Sequence, residues 1–142
     1  MLLRGRIDLF DVNEVNQRIV ECKYRITKNG IDVPICKKYK VNLLLKGHES
    51  LICNASADSL YVNKTGNTGL SKGGAGDLLA GIIAGLTPAM KGDLFNSAAL
   101  SAFVHGLSAD LLKASMSEYS ILPSDCAKNL GRSFALLENE KN

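Results

Sequence analysis

Asn63-Lys-Thr-Gly-Asn-Thr-Gly-Leu-Ser-Lys-Gly-Gly-Ala-Gly-Asp77 runs straight into Leu78-Leu-Ala-Gly-Ile-Ile-Ala-Gly-Leu86, and the change of composition between the two halves decides the fold. The first half carries five glycines among small hydroxyl and amide residues, which reads as a loop, and the second half reads as a buried helix. Where such a loop becomes a helix, several backbone N–H groups lack intrahelical partners and the helix dipole adds positive potential. Gly73-Gly-Ala-Gly-Asp77 then places a carboxylate at that point. Two readings stay open on residue chemistry: an anion site with Asp77 as a base beside it, or a glycine-rich turn with Asp77 capping the helix. The stretch lacks the Lys-Ser/Thr ending of a Walker loop, and its glycine spacing does not fit the dinucleotide fingerprint.

On the N-terminal side, Val41-Asn-Leu-Leu-Leu45 reads as a strand covered on both faces, ended by Lys46-Gly47. Ser50 to Asn54 and Ser59 to Asn63 flank Ala55-Ser-Ala-Asp58 as a hairpin. Further upstream, Arg6 to Phe10 suggests a short strand. From Val12 the spacing of Val15, Ile19, Cys22 and Ile26 predicts a helix, with Asp11 as N-cap, Glu14 completing a capping box and Asn29-Gly30 ending it. Ile31 to Lys40, interrupted by Pro34, is expected to be a helical turn or irregular link with Tyr39 buried. On the C-terminal side, Pro88 and Gly92 mark a turn, and Asp93 or Asn96 caps a helix over Ala98 to Lys113 whose Phe103, Leu107 and Leu111 share a face. A last helix follows from Ser124 to about Leu137, with a fraying tail over 138–142.

The chain has 142 residues, 46% hydrophobic and 22% charged, which suits one domain with a substantial core and excludes a disordered or coiled-coil class. Net charge of +3 is mild, and Lys37-Lys38-Tyr39-Lys40 reads as a solvated helix end because no aromatic array accompanies it; no nucleic-acid partner is expected. Cys22, Cys36, Cys53 and Cys126 form no C-x-x-C pair and are expected as reduced core thiols. The opening Met-Leu-Leu-Arg-Gly-Arg develops no signal-peptide apolar region, and no apolar run approaches the ~18 residues of a membrane span, so the expected location is cytoplasmic, without membrane association.

Thr65 to Leu86 resembles the signature of the ADP-dependent NAD(P)H-hydrate dehydratases of the ribokinase-like superfamily. Leu44-Leu-Lys-Gly-His-Glu-Ser50, His105-Gly-Leu-Ser-Ala-Asp110 and Glu118-Tyr-Ser-Ile-Leu-Pro-Ser-Asp125 agree with it in order. The resemblance covers residues 41 to about 135. It implies an α/β fold, a ribokinase-like three-layer sandwich, present here as a partial domain: a central, mostly parallel sheet, a hairpin and C-terminal helices. By resemblance, Asp77 is the catalytic base facing the hydrated nicotinamide ring, and Gly73, Gly74, Ala75 and Gly76 form the anion hole. Lys46, Gly47, His48, Glu49 and Ser50, together with Gly76, form the nucleotide segment. Asn67 and Thr68 stand where bacterial members carry an Asn-Pro or similar pair and are expected to shape the loop, and His105 and Asp110, five apart on a helix, are expected to be structural. Ala75 departs from the Thr or Ser common in this family's motif.

The activity implied is conversion of (6S)-NAD(P)HX to NAD(P)H, with ADP as co-substrate giving AMP and phosphate, and with magnesium. Two alternatives remain: a ribokinase-like kinase for a hydroxymethylpyrimidine, thiazole or sugar, or a non-catalytic fragment that binds adenine nucleotide. The family's first strands, dinucleotide-gripping residues and magnesium-holding acids find no counterpart in this sequence, and no metal ligand is assigned. The expected partners are therefore a second copy, an upstream half, or an epimerase.

Overall fold

The computed structural model describes the backbone of residues 7–11, 18–22 and 33–139, and the side chains from residue 36 onward. The order is β1 (Ile7–Asp11), β2 (Arg18–Cys22), α1 (Val33–Tyr39), β3 (Asn42–Leu45), β4 (Leu51–Cys53), β5 (Leu60–Val62), a 3₁₀ turn (Thr68–Leu70), α2 (Ala75–Ala89), α3 (Leu94–Lys113) and α4 (Pro123–Asn139). The strands form one sheet in sequence order. Of the four pairings among the described residues only β2 with β3 is parallel, where a mostly parallel sheet is the sequence expectation.

β3 shows why the sheet sits inside helices. Consecutive strand residues point to opposite faces, and here both Leu43 and Leu44 are buried. Leu44 packs with Ile52 against Leu79 and Ile83 of α2 and Leu94, Ala98 and Ala102 of α3. Leu43 packs on the other side with Cys53 and with Cys36 of α1. The strand is thus covered on both faces, as its apolar composition implies, and the sheet lies between α1 on one side and α2 and α3 on the other. Cys36 and Cys53 are free thiols in the second of these clusters, and Cys126 is a free, buried thiol in a separate one with Ala109 and Ile121. Burial and the neighbouring Cys53 push the Cys36 thiol up to about 12, so it stays protonated.

Three local expectations change. Residues 18–22, predicted as part of a helix, form β2: the β-branched Ile19 and Val20 pair in parallel with Asn42 and Leu43, a long-range hydrogen-bonding partner that outweighs the helical spacing of Val15, Ile19 and Cys22. Asp11, expected as the helix N-cap, ends β1, while Glu14, Ile26 and Asn29-Gly30 lie outside the described residues. Tyr39, expected to be buried, is 62% exposed at the end of α1, with the Lys38 ammonium 5.2 Å from its ring. Pro34 does not interrupt α1, because it falls in the first turn, where the missing N–H has no intrahelical acceptor to lose. Lys37 and Lys38 occupy the last turn, where they complement the helix dipole.

α3 is buried on a different face from the one its large residues suggest. Ser97, Ala98, Ser101, Ala102, Ser108 and Ala109 are buried, whereas Phe103, Leu107 and Leu111 are half-buried. Small residues let neighbouring helices approach closely, and the serines spend their hydroxyls within α3: Ser101 Oγ donates to the Ser97 carbonyl (2.6 Å) and Ser108 Oγ to that of His105 (2.7 Å). Asn129 of α4 donates to the Ser108 carbonyl (2.9 Å), and Ala109 packs with Ile121 and Cys126. Pro88 lies inside the last turn of α2 rather than beyond it, and Gly92, with φ of 81°, makes the turn into α3. Of the two candidate caps for α3, Asp93 serves, accepting from Asn96 N (3.0 Å). Among the described residues no helix is long and apolar enough to cross a membrane.

Because the α3 seam is filled by small side chains, Ser101→Leu should lower unfolding stability by about 1–3 kcal/mol through overpacking. Tyr39→Ser, at an exposed position, should stay within ~0.5 kcal/mol. Urea unfolding of both variants checks the contrast.

Candidate functional site

The loop that leaves β5 is laid along α3, and its start depends on an absent side chain. A Cβ on Gly106 would stand 2.2 Å from Thr65 Oγ1 and 2.5 Å from the Thr65 carbonyl. Only glycine permits this approach. Thr65 Oγ1 donates to the Phe103 carbonyl (2.8 Å), and Asn63 Nδ2 donates to the carbonyls of Thr65 (3.0 Å) and Ala102 (3.2 Å). One turn further along α3, Asp110 accepts from Gly66 N (2.7 Å) and from Asn67 Nδ2 (3.1 Å). Asn67 caps the 3₁₀ turn by accepting from Gly69 N (3.0 Å), so it shapes the loop, as expected.

The far end of the loop is held by the segment between α3 and α4. Glu118 accepts from Thr68 N (3.2 Å) and from the Thr68 hydroxyl, and it pairs with Lys113 at 2.5 Å. The Lys113 ammonium and the Thr68 hydroxyl hold its carboxyl at about 2, below the usual 4.5. Lys72 turns inward and donates to the carbonyls of Tyr119 (2.7 Å), Ile121 (2.5 Å) and Glu118 (3.3 Å). Asp110, Glu118, Lys72 and Gly106 were not singled out as loop anchors from the sequence. The available signal was that the first, second and last lie in the two short pieces that accompany the central motif.

Between this loop and the β3–β4 turn lies a cleft of about 520 Å³. Lys46, Gly47, His48, Glu49 and Ser50 form one wall, the loop from Asn63 to Ser71 another, and Leu79, Ala102, His105 and Gly106 the floor. The expected nucleotide segment and the first part of the glycine loop are therefore brought together. Ser50 steadies the turn by accepting from Gly47 N (3.3 Å) and donating to its carbonyl (3.2 Å), and Glu49 pairs with Lys64 (2.7 Å), which joins this turn to the start of the loop. His105 is 3% exposed, and burial first, then the charge of Lys46, push its imidazole down to about 4, so it is neutral at pH 7.

Gly73, Gly74, Ala75, Gly76 and Asp77 do not line the cleft; they lie where the loop enters α2. Gly74 is the N-cap residue, with φ of 88°, a left-handed conformation that favours glycine. The Ala75 N–H is engaged with the Lys72 carbonyl (3.3 Å), while those of Gly73, Gly74, Gly76 and Asp77 meet no acceptor among the described residues. Asp77 stands in the first turn of α2, exposed, and does not cap the helix. Its carboxylate has no partner among the described residues. The described residues contain no group of three or more His, Cys, Asp or Glu that could hold a metal ion.

The family model of the NAD(P)H-hydrate dehydratases matches residues 20–132. The chain belongs to this family. It is 45% identical over 83 residues to the bifunctional NAD(P)H-hydrate repair enzyme Nnr of Methanocaldococcus jannaschii, a match covering 58% of this chain and 16% of that one. To the ADP-dependent (S)-NAD(P)H-hydrate dehydratase of Neisseria meningitidis serogroup B it is 39% identical over 77 residues, covering 54% and 25%. Among solved structures, the ADP/ATP-dependent NAD(P)H-hydrate dehydratase of Bacillus subtilis co-crystallised with ATP/Mg²⁺ superposes with a TM-score of 0.64 at 29% identity, covering 72% of this chain and 36% of that one. The fold is thus the ribokinase-like fold of this dehydratase family, in a chain that spans a quarter or less of the length of these two curated relatives.

Two predictions follow from the loop anchors. Gly106→Ala should lift the Thr65 backbone off α3 and destabilise the chain by about 1–3 kcal/mol, measured by urea unfolding. The Glu118 contact is present above the ordinary carboxylate pKa and is lost as pH falls from about 4.5 towards about 2, because the folded value is depressed. The Thr68 amide resonance of the folded chain should therefore titrate around the lower end of that window, near 2, and Glu118→Gln should abolish the titration.

Proposed function

We propose that this chain contributes the nucleotide cleft and the general base for ADP-dependent dehydration of (6S)-NAD(P)HX to NAD(P)H. The supporting observation is the course of one loop: it walls a cleft together with Lys46 to Ser50 and then delivers N–H groups and a carboxylate that have no partner among the described residues at the start of α2. Lys46, Gly47, His48, Glu49 and Ser50 take the adenine nucleotide, whose phosphate end lies against Gly76. Gly73, Gly74 and Gly76 offer N–H donors to the transferred phosphoryl group, with Ala75 completing the backbone of the anion hole. Asp77 takes the proton of the hydrate hydroxyl as that oxygen attacks the terminal phosphorus of ADP, and AMP departs. The phosphorylated hydroxyl then leaves as phosphate while the ring loses a proton from the neighbouring carbon and regains its double bond.

Phosphoryl transfer depends on positioning and charge neutralisation more than on covalent help, which suits a site built of backbone donors and one carboxylate. An exposed Asp77 whose oxygens are not spent on the helix end is free to accept a proton. Magnesium commonly reaches such sites on the nucleotide phosphates. The described residues bring together no group of three or more His, Cys, Asp or Glu that would hold it directly. The Bacillus subtilis relative is described as ADP/ATP-dependent, and ADP is proposed for this chain. The remaining dinucleotide contacts fall to an upstream half or a second copy, and the bifunctional relatives make an epimerase a further proposed partner. A cytoplasmic location is proposed with this metabolite-repair role.

Calorimetric titration of the 142-residue chain with AMP and ADP should show binding, and folded protein that gives no heat and no thermal shift at millimolar nucleotide would overturn the cleft assignment. Asp77→Asn should lower NADH formation, followed by absorbance, by ~10²–10⁴-fold in whatever assembly gives wild-type activity, while AMP affinity is kept. Full turnover by the Asn variant would remove Asp77 from the base role. Complementation with the upstream half of a full-length relative should raise a weak activity of the chain alone.

A further inference from the structure

The cleft floor contains an unsatisfied polar atom. Among the described residues, His105 Nε2 is the buried side-chain nitrogen or oxygen with no hydrogen-bond partner. The polar side chains around it are spoken for. Asn63 bonds Thr65 and Ala102, Thr65 bonds Phe103, Asn67 bonds Gly69 and Asp110, and Thr68 bonds Glu118. A buried nitrogen left without a partner carries a desolvation penalty that a fold seldom keeps without a use. His105 also lines a cavity of about 520 Å³, so a molecule bound there lies beside its ring.

The chemistry of the missing partner is constrained. Burial and the nearby charge of Lys46 keep the imidazole uncharged, so it presents one N–H and one lone pair rather than a cation. A hydroxyl group suits either tautomer, because it can donate or accept. A phosphate oxygen only accepts, and the backbone donors suited to it, unpaired among the described residues, lie apart at Gly73, Gly74, Gly76 and Asp77, where the loop enters α2. A nucleotide whose phosphate meets that junction and whose nucleoside enters the cleft brings its sugar past the floor.

We propose that His105 is a ligand-contacting residue whose Nε2 hydrogen-bonds a ribose hydroxyl of the bound adenine nucleoside, making the cleft selective for ribo- over deoxyribonucleosides. This rests on the nucleotide reading of the cleft given above. It changes the expectation for His105, which the sequence alone assigns a structural role.

The test compares adenosine, AMP, 2′-deoxyadenosine and 3′-deoxyadenosine by calorimetry on the full chain and on His105→Phe, a replacement of similar size without ring nitrogens. The wild type should bind one of the two deoxy analogues roughly three- to tenfold more weakly than adenosine. In the variant that difference should vanish, with AMP and adenosine weakened by the same factor. A deoxy penalty unchanged by the substitution, or a loss confined to AMP, overturns the assignment. Should the variant fail to fold, the ring ¹⁵N resonances of His105 in the wild type decide: they should move with adenosine and stay with the discriminated analogue, and an equal response to both counts against the contact. A wild-type chain that binds neither adenosine nor AMP removes the nucleotide reading itself and this contact with it, whereas binding without any His105 effect removes this contact alone.

Discussion

The site depends on one close approach, the passage of the Thr65 backbone over Gly106 of α3. No other residue type leaves room for it, since a Cβ there would sit 2.2 Å from the Thr65 hydroxyl oxygen. Once the loop is down on the helix, the carbonyls of Ala102 and Phe103 become acceptors for Asn63 and Thr65, and the Asp110 carboxylate comes within reach of Gly66 and Asn67. The route of the chain from β5 to α2 is set by these contacts. The cleft is the space left between that route and the turn after β3.

The contacts that hold the loop differ in kind. The Asp110 bonds and the inward Lys72 bonds are charge-assisted hydrogen bonds to backbone or amide groups, roughly twice as strong as neutral ones. The Glu49–Lys64 pair is exposed on both sides and contributes little to stability. Lys72 joins the loop to the residues just before α4, so α4 takes part in the site without lining the cleft.

What was legible in the sequence were features with local causes. Glycine density from Gly66 to Gly76 marks the loop, the apolar run after Asp77 marks α2, and the two short β-prone runs around Ala55-Ser-Ala-Asp58 mark the hairpin. β2 was not legible, because Arg18–Cys22 becomes a strand through a parallel partner more than twenty residues away, while its own spacing imitates a helix. The buried face of α3 was obscured for a different reason: serine and alanine give a weak hydrophobic signal, and Phe103, Leu107 and Leu111 give a strong one on a half-buried face. In the site, Asp77 and the Lys46–Ser50 segment were reached through family resemblance. The loop anchors Asp110 and Glu118 are 43 to 50 positions from the residues they hold, so no spacing rule connects them.

The seam of alanine and serine along α3 bears on conformational entropy. Ordering a long side chain in a core removes rotamer freedom worth up to ~2 kcal/mol, whereas ordering alanine removes almost none. The helix under the loop is therefore fixed by residues with little freedom to lose, and its serines are held by bonds within their own helix. A platform of this kind has few alternative rotamer states to populate when the loop above it shifts. The carbonyls of Ala102 and Phe103 that receive the loop accordingly belong to a helix whose packing is ordered at little side-chain entropic cost.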